Sequence, residues 1–232
     1  MFVLLFVYVF GGAFEQILPP QISYVDFLIP GIFVQTSIFA ALQTGVGLAD
    51  DLQKGLIERF KSLPMARSAV LAGRTAADSI SVIFQVILML IVAFLVGYRL
   101  HEGLMESLLA FALIVMVGYA FTWVAAFSGL SLKTIEAVQA ATFTIVFPFV
   151  FVSSAFVPVE FFREWLETIA NANPVTIWVN TIRVLTLGEL YTESDLFKGV
   201  PSLGTLLWES AAWIGGILTL FWFLGVRHYR RT

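Results

Sequence analysis

Long apolar runs separated by short polar connections leave this chain few ways to fold. They cover Phe27–Leu48, Ala76–Gly97, Leu104–Ser128, Val138–Val157 and Thr205–Val226. Each is near the ~20 residues that an α-helix needs to cross the ~30 Å hydrocarbon core of a bilayer. A further run, Met1–Phe14, carries neither the basic leader nor the small-residue cleavage site of a secretory signal, so it reads as a retained span. It is short for one, as expected of a first helix that lacks its beginning. Hydrophobic residues make up 59% of the chain and charged residues 12%, against about a quarter charged in soluble domains, which excludes a soluble globular fold. The ten-residue alternation of membrane β-strands is absent. The expected class is an all-α integral membrane protein: one domain, 1–232, with spans at about 1–18, 27–48, 76–97, 104–128, 138–157 and 205–226.

Basic residues orient such a bundle, because short loops rich in Lys and Arg stay in the cytoplasm. Placing the segment 49–75 inside puts Lys54, Arg59, Lys61, Arg67, Arg74, Lys133, Arg227, Arg230 and Arg231 inside. Arg99, Arg163, Arg183 and Lys198 remain outside, so nine of the thirteen basic residues are inside and both termini are expected to be cytoplasmic.

Several chemistries are excluded. No Gly-Lys pair exists, so no Walker A loop can cradle phosphates, and the chain does not hydrolyse ATP itself. There is no cysteine, and His101 and His228 fall on opposite sides of the membrane, so no conventional zinc site forms. A net charge of −3, with the basic residues at membrane boundaries, argues against nucleic acid as a partner. Asp26 and Asp78 sit near span ends, and Asp78, one turn from Arg74, reads as a structural pair.

The cytoplasmic segment has its own pattern. Leu52, Leu56, Phe60 and Leu63 fall on one helical stripe, and Asp51, Lys54, Glu58 and Lys61 on another face. Asp50 or Asp51 is the expected N-cap and Pro64 the stop. Such a helix either lies on lipid headgroups, with membrane lipids as its partner, or docks a protein. On the other side of the membrane, 158–204 is too apolar for a solvated loop. Phe161, Phe162, Trp165, Leu166 and Ile169 give an interfacial helix. Asn173-Pro174 breaks it, and Val175–Leu187 follows as a short re-entrant or surface-lying helix ending at Gly188.

Polar residues within the spans are candidates for a transport path: Gln35, Thr36 and Gln43, then Gln85, then Gln139, Thr142 and Thr144. Hydrogen bonding between neighbouring helices is the alternative use. Phe143, Phe147, Phe151 and Ser154 form a stripe suited either to a hydrophobic substrate or to core and dimer packing. Pro148 permits a kink in the same span.

The stretch from Gly55 to Arg74, GLIERFKSLPMARSAVLAGR, with Asp78 after it, resembles the segment between the second and third spans of ABC-2-type permeases of the daunorubicin-resistance type. A second block, Ser153-Ser-Ala-Phe-Val-Pro-Val-Glu160 through Trp165-Leu and Asn173-Pro-Val-Thr to Arg183, is similar to the same family's outer region. The resemblance implies a type V exporter-like six-helix permease with a cytoplasmic coupling helix and short outer re-entrant or interfacial helices, in a prokaryotic cell membrane. It implies a second permease chain, identical or not, and ABC ATPase subunits that hold ATP and Mg, with no cofactor on this chain. Lys54, Glu58, Arg59, Phe60, Lys61 and Arg67 would then lie at or near the ATPase contact. Gln35, Gln43, Gln85, Gln139, Phe143, Phe147 and Phe151 are the path candidates for a hydrophobic drug, antibiotic or lipid-like cargo. A polysaccharide or lipid-linked polymer is the alternative cargo, and a membrane scaffold or enzyme without an ATPase partner the alternative class.

Overall fold

The computed structural model describes residues 2–14, 16–56, 67–197 and 199–231, and every regular element among them is helical. In chain order these are α1 (Phe2–Leu5), a π-helical turn (Phe6–Phe10), α2 (Gly11–Phe14), α3 (Tyr24–Gln53), α4 (Arg67–Val96), α5 (Leu104–Leu132) and α6 (Ile135–Phe151). After a 3₁₀ turn at Val159–Phe161 come α7 (Glu164–Asn171), α8 (Pro174–Leu187) and α9 (Glu189–Thr192). A second 3₁₀ turn, Asp195–Phe197, precedes α10 (Leu203–Arg231).

Among the described residues, four helices are long and apolar enough to cross a bilayer: Tyr24–Gln53, Gly73–Val96, Leu104–Leu132 and Leu203–Tyr229. At about 1.5 Å per residue, the 30 residues of α3 exceed the ~30 Å hydrocarbon core. The helix starts before the expected span 27–48 and ends after it. Ser23 caps its start: its Oγ accepts from the Asp26 backbone N–H at 3.1 Å and donates to Asp26 Oδ2 at 2.7 Å. The buried Asp26 carboxylate also accepts from the Arg99 backbone N–H at 3.0 Å. The expected span 138–157 is helical only to Phe151, because side chains take over the carbonyls beyond Pro148. Asn173 Nδ2 donates to the Phe149 and Val152 carbonyls at 2.7 and 2.6 Å, and Ser153 Oγ to that of Val150 at 2.6 Å.

The chain divides into two compact units, one from residues 1–36, 86–114 and 149–211, the other from 37–85, 115–148 and 212–232. In the first, α8 is buried along its whole length. Asn173 caps its start, accepting from the Val175 N–H at 2.9 Å, and Gly188 closes it at φ +56°, as the Asn-Pro and Gly punctuation led one to expect. On α7, Trp165 and Ile169 are exposed one turn apart, an apolar edge of the kind interfacial helices carry, whereas Phe161, also exposed, lies before the extended Phe162 and Arg163 and so outside that helix.

In the second unit, Leu48 of α3, Trp123, Ala126 and Leu130 of α5 and Tyr229 of α10 form a core, with Leu52, Tyr119, Leu218, Phe221 and Val226 packed on it. The backbones of α3 and α5 touch: a Cβ on Gly45 would lie 2.5 Å from the Ala125 carbonyl oxygen, and one on Gly129 would strike the Gly45 carbonyl. Small residues at such a contact are how helices pack closely in lipid, where burial of apolar surface gives no net drive. Facing outward are Ile80 and Phe84 of α4 and Trp213, Leu220, Trp222 and Phe223 of α10. An apolar exterior of this extent suits hydrocarbon, not water.

Candidate functional site

The last turn of α3 carries two adjacent acids, Asp50 and Asp51. The helix runs past both to Gln53 and breaks at Gly55, which takes φ +68°. Neither acid therefore begins a new helix, contrary to the expected N-cap. A carboxylate at a helix C-terminus opposes the macrodipole, and here each acid is matched by a cation. Lys54 Nζ lies 2.6 Å from Asp50 Oδ2, and this hydrogen bond raises the lysine above its ordinary pKa. Arg74 on α4 binds Asp51 through Nη1 and Asp78 through Nε at 3.1 Å. The expected Arg74–Asp78 pair is thus half of a relay that ties the end of α3 to the first turns of α4. Gly47 makes room for it, since a Cβ there would collide with Nη2 of Arg74. The end of α3 is also tied to the connection after α5, through a 3.4 Å bond from Gln53 Nε2 to the Lys133 carbonyl.

This relay brackets the segment that the sequence marks as a docking helix. Glu58, Arg59, Phe60 and Lys61 lie outside the described residues, as does Pro64. Arg67 is the first residue of α4. Lys54 is exposed beside Asp50.

The path candidates separate into two sets. Gln139, Phe143, Phe147 and Phe151 recur every four residues on α6 and are all exposed, so they form one outward face while Val138, Val146 and Val150 turn inward. Phe39 of α3 packs against Phe143 and Phe147, with ring centroids 6.0 and 6.4 Å apart. Gln43, one turn further along α3, is exposed too. Gln43, Gln139, Phe143 and Phe147 therefore share a surface in the second unit. Gln35 is buried in the first unit, and Gln85 is half-buried on α4. Those two do not join the shared face.

A polar centre in the first unit was not legible beforehand. The Arg183 side chain is fully buried. Its Nε donates to the Phe27 carbonyl at 3.0 Å and Nη2 to the Ser154 carbonyl at 2.7 Å. Nη1 reaches Ser154 Oγ and Asn180 Oδ1, both at 3.2 Å. Asn180 Oδ1 accepts as well from Ser154 Oγ and the Tyr191 hydroxyl, both at 3.1 Å. The guanidinium carbon lies 3.5 Å from the centre of the Phe27 ring. The planar fork thus binds the start of α3, the turn after α6, α8 and α9 to one another. A lone arginine inside an apolar helical run, three residues after an asparagine, was the available signal. Nearby, Glu160 lines a cavity of about 290 Å³ with Glu167 and Glu209. Burial lifts the Glu160 carboxyl above its ordinary pKa, and its Oε2 has no hydrogen-bond partner among the described residues.

Long apolar helices with lipid-compatible exteriors, joined at one end by an ion-pair relay, define a multi-pass membrane protein. Residues 1–187 match the family model for the ABC-2 type transporter, and the chain belongs to that family of transport permease subunits. It is 29% identical over 230 residues to the daunorubicin resistance ABC transporter permease protein DrrB1 of Streptomyces coeruleorubidus, covering 99% of this chain and 76% of that one. It is 28% identical over 229 residues to ycf38 of Porphyra purpurea, which carries the name of a transport permease, covering 96% and 76%. A third relative, DrrC of Mycobacterium tuberculosis, is named as an ABC transporter permease for doxorubicin resistance and is 24% identical over 189 residues, covering 79% and 63%.

Proposed function

We propose that this chain is the membrane subunit of an ATP-driven exporter that moves a hydrophobic drug, antibiotic or lipid-like molecule out across the cell membrane. Six spans with both ends in the cytoplasm place the 49–75 segment inside, where separate ATPase subunits, holding ATP and Mg²⁺, dock on it. A second permease chain pairs with this one, and cargo passes along the face of α6 and α3. The observation that carries the reading is the pair of glutamines, Gln43 and Gln139, exposed beside Phe143 and Phe147. Lipid tails cannot satisfy an amide, so such a face calls for a protein partner or a passing molecule. The drug-resistance permeases among its relatives support the choice of cargo class. The Arg74 relay fits a coupling role, since it would pass movement of the docked segment into both α3 and α4.

The test is reconstitution of the chain, carrying Glu58→Arg and Arg59→Glu together, with an ABC ATPase that its unsubstituted form stimulates. The expected result is loss of substrate-stimulated ATP hydrolysis and export, with assembly of the two permease chains retained. Normal stimulation by the doubly reversed chain would overturn the docking assignment.

A further inference from the structure

Between α4, α5 and α8 the first unit holds an apolar cavity of about 370 Å³, within the ~300–1,000 Å³ range of small-molecule sites. Phe33, Phe94, Phe111 and Ile182 line it, with Tyr98 and Leu104. Its walls offer almost no polar group, so water gains nothing there.

Two further observations identify an occupant. Leu104 and Leu108 line the cavity yet are 78% and 54% exposed, and the adjoining surface carries exposed Leu88, Ile91, Leu95, Met105 and Leu109. The cavity therefore meets the apolar exterior, which in a bilayer is acyl chain. Between Tyr98 and Leu100, which both line it, stands Arg99, an exposed cation whose Nη1 is anchored on the Phe94 and Tyr98 carbonyls at 3.2 and 2.9 Å. No carboxylate pairs with its side chain among the described residues.

We propose that this cavity is a phospholipid site, with one acyl chain inserted between α4 and α5 and the headgroup phosphate on Arg99. Lipid reaches the site directly from the bilayer.

The test uses the full chain in nanodiscs containing a phosphatidylglycerol with a mid-chain diazirine. After photolysis, adducts are mapped by mass spectrometry. Adducts are expected on segments 94–114 and 182–186, reduced about tenfold by Ala110→Trp, which fills the cavity, and several-fold by Arg99→Gln. Arg99→Gln leaves the cavity lining untouched, which preserves the test if the tryptophan variant does not fold. Labelling spread evenly along the exposed face of α4 and indifferent to both substitutions would overturn the proposal. So would labelling displaced by doxorubicin but not by excess unlabelled phosphatidylglycerol, which would make the cavity a drug site.

Discussion

Replacing Arg183 by methionine keeps an unbranched apolar stem and removes the fork. The carbonyls of Phe27 and Ser154 each lose a donor that reaches them at 3.0 and 2.7 Å, and a buried acceptor left without its donor costs about 1–3 kcal/mol. Stacking of the guanidinium over Phe27 is lost as well, worth about 2 kcal/mol in a desolvated setting. Relief of the arginine's own desolvation returns several kcal/mol. Asn180 keeps its bonds from Ser154 and Tyr191. The net expectation is a loss of about 3 kcal/mol, or roughly 6–12 °C at about 2–4 °C per kcal/mol for a chain of this size. Lysine is expected to be worse than methionine. Its compact, strongly hydrated ammonium stays buried, and it cannot span the two carbonyls that the planar fork reaches together. The assay is thermal unfolding of the purified chain in detergent, followed by tryptophan fluorescence, with Trp178 buried in the same unit. Unchanged melting in both variants would refute the structural role of the network. Full rescue by lysine would refute the claim that planarity is what matters.

Gly129→Leu drives a branched side chain into the Gly45 carbonyl and should separate α3 from α5 at a cost above about 3 kcal/mol, read as loss of folded protein in size-exclusion yield, whereas Gly216→Leu, which meets open space, should be tolerated. Arg74 and Asp51 are about a third and a quarter exposed, so a double-mutant cycle of Arg74→Gln and Asp51→Asn should give only about 0.2–1 kcal/mol of coupling in melting experiments. The same variants should depress substrate-stimulated ATPase activity in the reconstituted complex by a larger factor. Glu160 should destabilise the fold as pH rises. Its folded pKa is raised above 4.5, so the folded state holds the proton more tightly. Stability is therefore greatest below the unfolded value and falls as pH climbs through the folded one. Glu160→Gln should melt higher than the parent at pH 8, with the gap closing towards pH 4.5. A constant gap across that range would refute the assignment.

Much of this molecule is written in the chain. Apolar runs of bilayer length, the Asn173-Pro174 break and the terminal Gly188 follow from solvation and local backbone chemistry, which act on a few neighbouring residues at a time. The four-residue recurrence of Gln139, Phe143, Phe147 and Phe151 likewise places them on one face of any helix, and the structure leaves that face exposed. The coupling residues Glu58 to Lys61 were read from resemblance alone and lie outside the described residues. The spacing of Asp50 and Asp51 ahead of Leu52 read as a helix start, yet both acids end α3, because Lys54 and Arg74 neutralise them there. No local rule anticipates a partner 23 residues away. Distance in sequence also hid the Arg183 centre, whose acceptors come from residues 27, 154 and 180, and the Phe39 contact that makes α3 a neighbour of the α6 stripe. Tertiary structure alone decided which buried polar atoms find partners, since a fully desolvated charge is tolerable only where several distant backbones converge on it. The sequence determined that this chain lives in a membrane and which of its surfaces are apolar; the packing decided where, inside that apolar frame, charge is allowed to remain.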